Sequence, residues 1–177
     1  MGRYVDTYIG FDSAWTDKVK APGAICALTM EGRTPIQFYP PRLATFDQAL
    51  EFIAQVRSKD GTTLLALDQP TIVPNVTSMR PVERVAASAI SWLGGGVQPS
   101  NRSKTGMFCD ASPIWKFLTR LAAIEAPEDA RTAEAGLHLI EVFPALALPS
   151  LEPAFFGRLM APRYNPARKK TFRLADW

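Results

Sequence analysis

Three carboxylates stand at the ends of apolar, β-prone runs: Asp12 after residues 4–11, Asp68 after residues 62–67 and Glu141 after residues 137–140. An acid at the end of a buried strand is costly unless something compensates its charge. In open α/β sheets, the crevice beyond the carboxyl ends of the strands is the usual binding place. If these three strands are parallel neighbours, their acids meet at one sheet edge, where they repel one another unless a cation lies between them. An all-oxygen donor set suits a hard divalent ion, Mg²⁺ or Mn²⁺. Such an ion, with open coordination positions, can activate water and clamp a phosphodiester. Asp12, Asp68 and Glu141 are therefore the expected metal ligands and catalytic acids. The plainer alternative is three separate strand-end acids at the solvent rim.

Further charged residues extend this reading. Glu83 follows the Asp68 loop, on an expected helix beside Arg80 and Arg84, and is an additional catalytic candidate. Its plainer role is an ion pair with those arginines. Arg80, Arg102, Lys104, Arg168, Lys169 and Lys170 are candidates for contacts to nucleic-acid phosphates, which position a strand without reading its sequence. The net charge of +3 is concentrated at the end of the chain, where Arg163, Arg168, Lys169, Lys170 and Arg173 face only Asp176. Such a local basic segment fits a phosphate-bearing partner, or else simply a solvated tail.

Other chemistries find less support. His138 is the only histidine and has no Cys or Asp motif around it, which argues against a serine or cysteine hydrolase. Gly94-Gly95-Gly96 lacks the G-x-x-x-x-G-K-[ST] pattern of a phosphate loop and follows a helix, so it reads as a helix stop. Trp15, close behind Asp12, can stack on a base or anchor its loop in the core, the second being the commoner use.

The elements that must position these residues follow from periodicity and punctuation. Residues 4–11, 21–30 and 34–39 read as three short strands in an antiparallel meander, with a turn at Glu31-Gly32-Arg33. Thr45 and Gln48 have capping-box spacing and open a helix to about Ser58, with Phe46, Leu50, Ile53, Ala54 and Val56 on one face. Residues 62–67 form a continuous apolar strand. Pro81, Pro113 and Pro127 each stand where a helix begins. These helices are expected to reach about Leu93, Ala123 and Ala135, with a fifth strand over 137–140 and a short helical stretch near 150–160. The order, three strands, helix, strand, helices, strand, gives one α/β domain over residues 1–177.

Composition agrees with a globular domain. The chain has 177 residues, 47% hydrophobic and 21% charged, which excludes a disordered tail, a fibrous repeat or a coiled coil. No apolar run approaches the roughly 20 residues of a membrane span, and the start has no apolar leader core. Cys26 and Cys109 are too few for a disulfide framework or a zinc site, so a reducing cytoplasmic compartment is expected.

Several segments resemble the RNase H-like family of predicted nucleases classed as a domain of unknown function. The matching stretches are Ile9-Gly10-Phe11-Asp12-Ser13-Ala14-Trp15, Leu65-Ala66-Leu67-Asp68-Gln69-Pro70 and Ile140-Glu141-Val142-Phe143-Pro144. Arg80-Pro81-Val82-Glu83-Arg84, the segment 94–101 and Tyr164-Asn165-Pro166-Ala167-Arg168-Lys169-Lys170 add to the likeness, which spans most of the chain. The resemblance implies the ribonuclease H superfold, a mixed five-stranded sheet flanked by helices. It places Asp12, Asp68 and Glu141 in the metal-site positions and implies Mg²⁺- or Mn²⁺-dependent cleavage of DNA or RNA. It also implies a last acid from a C-terminal helix. The chain after Glu141 is short and no long helix fits after Lys170, so three expectations stand: the last acid is absent, Asp176 is its remnant, or the chain is a truncated form. A non-catalytic nucleic-acid or protein-binding module on the same fold, and a nucleotide phosphotransferase, are the rival expectations.

Overall fold

A computed structural model describes residues 4–91, 97–144 and 146–147. Two compact units divide the chain, one from Met1–Ile72 with Ser103–Val142, the other from Val73–Arg102 with Phe143–Trp177.

The first unit is built on a five-stranded mixed sheet. Its strands are β1 (Val5–Asp12), β2 (Gly23–Glu31), β3 (Thr34–Ala44), β4 (Thr62–Leu67) and β5 (Gly136–Glu141), in the spatial order β3-β2-β1-β4-β5. The β1-β2 and β2-β3 pairs are antiparallel, and the β1-β4 and β4-β5 pairs are parallel. The adjacency expected of the acid-bearing strands is therefore present.

Period-2 alternation places Ile9, Phe11, Ile25, Ala27, Leu65, Leu67 and Leu139 in one buried layer. Helix α1 (Phe46–Val56) packs on that layer through Phe46, Ala49, Phe52, Ile53 and Val56. Helix α3 (Pro113–Leu121) adds Ile114, Phe117 and Leu121. Both sets recur at three- and four-residue spacing, as a core-facing helix requires. Phe46 and Phe117 stack at 4.7 Å, and Phe11 meets both rings at 6.0 and 5.8 Å. This aromatic triad joins the two helices to the last core residue before Asp12, so the rim rests on a rigid floor. Helix α4 (Pro127–Thr132) buries no residue and lies just before β5.

Helix α1 begins as its sequence requires. Gln48 N donates to Thr45 Oγ1, and Thr45 N donates to Gln48 Oε1 at 2.9 Å. The helix ends at Val56, two residues before the expected limit. Strand β3 runs five residues beyond the expected Tyr39, passing through Pro40 and Pro41. It is an edge strand, where a missing N–H can face outward, and its register with β2 shifts between Ile25 and Ala27, opposite those prolines.

The second unit, as described, centres on α2 (Pro81–Ile90). The helix expected to reach Leu93 is assigned only to Ile90; residues 92–96, including the triple glycine, lie outside the described residues. So do the helical stretch near 150–160 and the basic tail. Among the described residues, no helix is long and apolar enough to cross a membrane.

Candidate functional site

The parallel registers decide where the acids stand. Phe11 pairs with Leu67, and Asp68 N donates to Phe11 O at 2.9 Å, so Asp12 and Asp68 follow one another across the β1-β4 ladder. Glu141 pairs with Leu67, one residue short of that row. All three acids belong to one sheet rim, but at two levels of it. Among the described residues, no group of three or more His, Cys, Asp or Glu side chains is gathered to hold a metal ion. The three carboxylates are thus not gathered into one cage, and the register leaves Glu141 one residue short of the Asp12-Asp68 row.

The rim acids still act on one another. Asp68 is half-buried, and its pKa is pushed up to about 6, first by burial and then by the negative charges of Asp12 and Glu141. Among the described residues, no group donates a hydrogen bond to its carboxylate. Asp12 is exposed, and its Oδ1 accepts from Ala14 N at 3.2 Å. Glu141 Oε2 accepts from Thr71 N at 3.2 Å. Thr71 Oγ1 donates to Glu125 Oε1 and lies 3.5 Å from Glu141 Oε2.

Glu125 is a rim acid that sequence reasoning missed. Its position comes from a short parallel bridge between Ile124 and His138, in which Ile124 N donates to Leu137 O and Leu139 N to Ile124 O. Nothing in the run Ala122-Ala123-Ile124-Glu125-Ala126 marks a strand. The pairing is a tertiary event and has no local signal.

The loop after Asp12 is unusually constrained. Ala14, Trp15 and Asp17 have φ of +52°, +64° and +52°, left-handed conformations that cost a non-glycine residue on the order of 1 kcal/mol each. Bonds hold them there. Trp15 Nε1 donates to Asp68 O at 2.8 Å, and Asp17 Oδ1 accepts from Phe46 N, the first residue of α1, at 2.7 Å. Gly23 lies against this turn: a Cβ there would come within 2.2 Å of Asp12 O. Trp15 also packs its ring 5.5 Å from that of the fully buried Phe108. It is a loop anchor, the second of the two roles its position allows.

The remaining candidates divide between the two units. In the second unit Glu83 is only 3% exposed and Arg80 5%. Arg80 Nε donates to Glu83 Oε1 and Arg80 N to Glu83 Oε2, both at 2.9 Å. Ser100 N donates to both carboxylate oxygens, at 3.1 and 3.0 Å. Burial pushes the pKa of Glu83 up most strongly, but the bonds from Ser100 and Arg80 together outweigh it and hold the pKa below its usual value. Glu83 and Arg80 are thus the buried polar core of their unit. The guanidinium of Arg80, a candidate phosphate contact in the sequence, is buried and engaged with Glu83. The ion pair with Glu83 is real, but it is not a surface pair.

Arg102 is half-buried in the same unit, and its N–H donates to Asn75 O at 2.9 Å. Lys104 is half-buried in the first unit, its carbonyl accepting from Phe108 N at 3.0 Å. Arg168, Lys169, Lys170 and Asp176 lie outside the described residues. His138 is buried, with Nε2 3.2 Å from Ala135 O, a structural residue of β5. No protein-family model matches the chain, no curated protein matches its sequence, and no solved structure matches its fold.

Proposed function

We propose that the chain is an RNase H-like, Mg²⁺- or Mn²⁺-dependent nuclease that hydrolyses phosphodiester bonds of nucleic acid at the rim formed by β1, β4 and β5. One observation carries this reading: Asp12 and Asp68 follow Phe11 and Leu67, which are paired on adjacent parallel strands, so the two carboxylates stand side by side at one sheet rim. A helix crossover from an antiparallel meander to two parallel strands is also the arrangement the RNase H-like resemblance implies.

The donor chemistry fits a hard cation in part. Asp12 and Asp68 supply carboxylate oxygens, and among the described residues no Lys or Arg pairs with either, as such an ion requires. Glu141, tied to Thr71, would contribute its charge from the next level of the rim. A bound divalent ion would supply an activated water and charge neutralisation at the phosphate. The chain's own residues orient the two carboxylates, which follow directly on the buried Phe11 and Leu67. Lys104, Arg102 and the basic run Arg168-Lys169-Lys170 would hold the strand by its phosphates.

The test is Mg²⁺-dependent cleavage of labelled single- and double-stranded DNA and RNA. Asp12→Asn is expected to abolish cleavage while the circular dichroism spectrum and melting midpoint persist. Cleavage retained in that variant rejects the assignment. The absence of a three-ligand group among the described residues favours one second reading, a non-catalytic nucleic-acid-binding module on the same fold. Intact nucleic-acid binding without Mg²⁺ binding would select it.

A further inference from the structure

A buried polar chain links the two segments that carry the paired acids. Ser13 is 2% exposed and Gln69 is fully buried. Ser13 Oγ donates to Gln69 Oε1, and Gln69 Nε2 donates to Trp15 O at 3.3 Å. Trp15 N donates to Ser13 Oγ at 3.2 Å, and Trp15 Nε1 closes the circuit on Asp68 O at 2.8 Å. Every one of these residues is next to, or within three residues of, Asp12 or Asp68. The β1-β4 ladder pairs residues up to Phe11 and Leu67, and Asp68 N donates to Phe11 O just beyond it.

A glutamine with no exposed surface is expensive to keep unless its bonds fix something. Here they fix a loop with left-handed residues at Ala14 and Trp15, a conformation that a free turn would relax. The Asp12 carboxylate is itself bonded to the amide of Ala14, so it moves with that loop. We propose that Ser13, Trp15 and Gln69 form a positioning clasp that sets the place of the Asp12 carboxylate beside Asp68, a task the strand pairing alone leaves undone. The clasp's consequence for a cation rests on the nuclease reading; its hold on Asp12 does not.

Two shape-conserving variants test it. Ser13→Ala removes the donor to Gln69, and Trp15→Phe removes the donor to Asp68 while keeping an aromatic ring against Phe108. Thr7→Val serves as the control. It deletes a buried hydroxyl bond to Val56 O, 3.1 Å long, on the same strand but away from the clasp. Amide hydrogen exchange at Ala14 reads the loop, and Mn²⁺ titration by calorimetry reads the acid pair.

Exchange at Ala14 is expected to rise roughly five- to tenfold in Ser13→Ala and Trp15→Phe, the equivalent of one lost buried hydrogen bond. Mn²⁺ affinity is expected to fall about 10- to 100-fold, as it does when groups that orient metal ligands are removed. Thr7→Val is expected to lower the melting midpoint and change neither reading. If both clasp variants melt earlier but keep wild-type exchange at Ala14, the clasp is overturned. If Ser13→Ala does not fold, Trp15→Phe decides on the same readings. If the wild-type protein binds no Mn²⁺, the nuclease reading falls, and exchange at Ala14 alone judges the clasp.

Discussion

Asp68 and Glu83 are both acids withdrawn from water, and their environments move them in opposite directions. Glu83 receives two N–H bonds from Ser100 and two bonds from Arg80, one of them charge-assisted. Burial is more than repaid, and the pKa falls. Asp68 receives no hydrogen bond on its carboxylate from the described residues and faces the charges of Asp12 and Glu141, and its pKa rises to about 6. The same side-chain chemistry serves stability in one place and stores repulsion in the other. A compensated acid is a building element. An uncompensated one, kept at a rim where it can be reached, is where a cation or a proton has something to gain.

The contrast gives opposite signs on mutation. Glu83→Ala strips the buried guanidinium of Arg80 of its carboxylate partner and removes the acceptor of Ser100 N. It is expected to destabilise the protein by about 3–5 kcal/mol, measured by urea unfolding. A loss below about 1 kcal/mol would mean that the pair is not the polar core of its unit.

Asp68→Asn is expected to act the other way. In the metal-free protein the folded state holds the Asp68 proton more tightly than the unfolded chain, whose value is near 3.8. The folded state thus binds more protons between pH 4 and 6, so this group's contribution to stability is full below about pH 4. It is lost as pH rises towards 6 and stays lost above. The span corresponds to roughly 2–3 kcal/mol as an upper figure. Asp68→Asn is expected to melt at a higher temperature than wild type at pH 7.5 in a chelator, by the equivalent of about 2 kcal/mol, and to flatten that pH dependence. A variant that is less stable at pH 7.5 would show that Asp68 is compensated after all. It would thereby dissolve the contrast with Glu83.

Much of the scaffold was legible in the sequence because its signals are local. The Thr45–Gln48 box, the prolines at 81, 113 and 127 and the continuous apolar run over residues 62–67 each act within a few residues, and each element formed where those signals stand, although the strand over 62–67 alternates in burial where the run suggested two buried faces. Asp12, Asp68 and Glu141 were legible as strand-end acids for the same reason. What was not legible depends on pairing between distant segments. The one-residue offset of Glu141, the bridge that brings Glu125 to Thr71 and the link from Ser13 to Gln69 are properties of register and packing. The three-residue spacing of Arg80 and Glu83 was visible, but their burial was not, since it depends on Ser100, seventeen residues on in the chain.

The most direct test of the account is diffraction from a crystal soaked in Mn²⁺, with an anomalous difference map at the rim. The account predicts a peak bound by carboxylate oxygens of both Asp12 and Asp68. A map with Mn²⁺ elsewhere on the protein and none between those two side chains would contradict it.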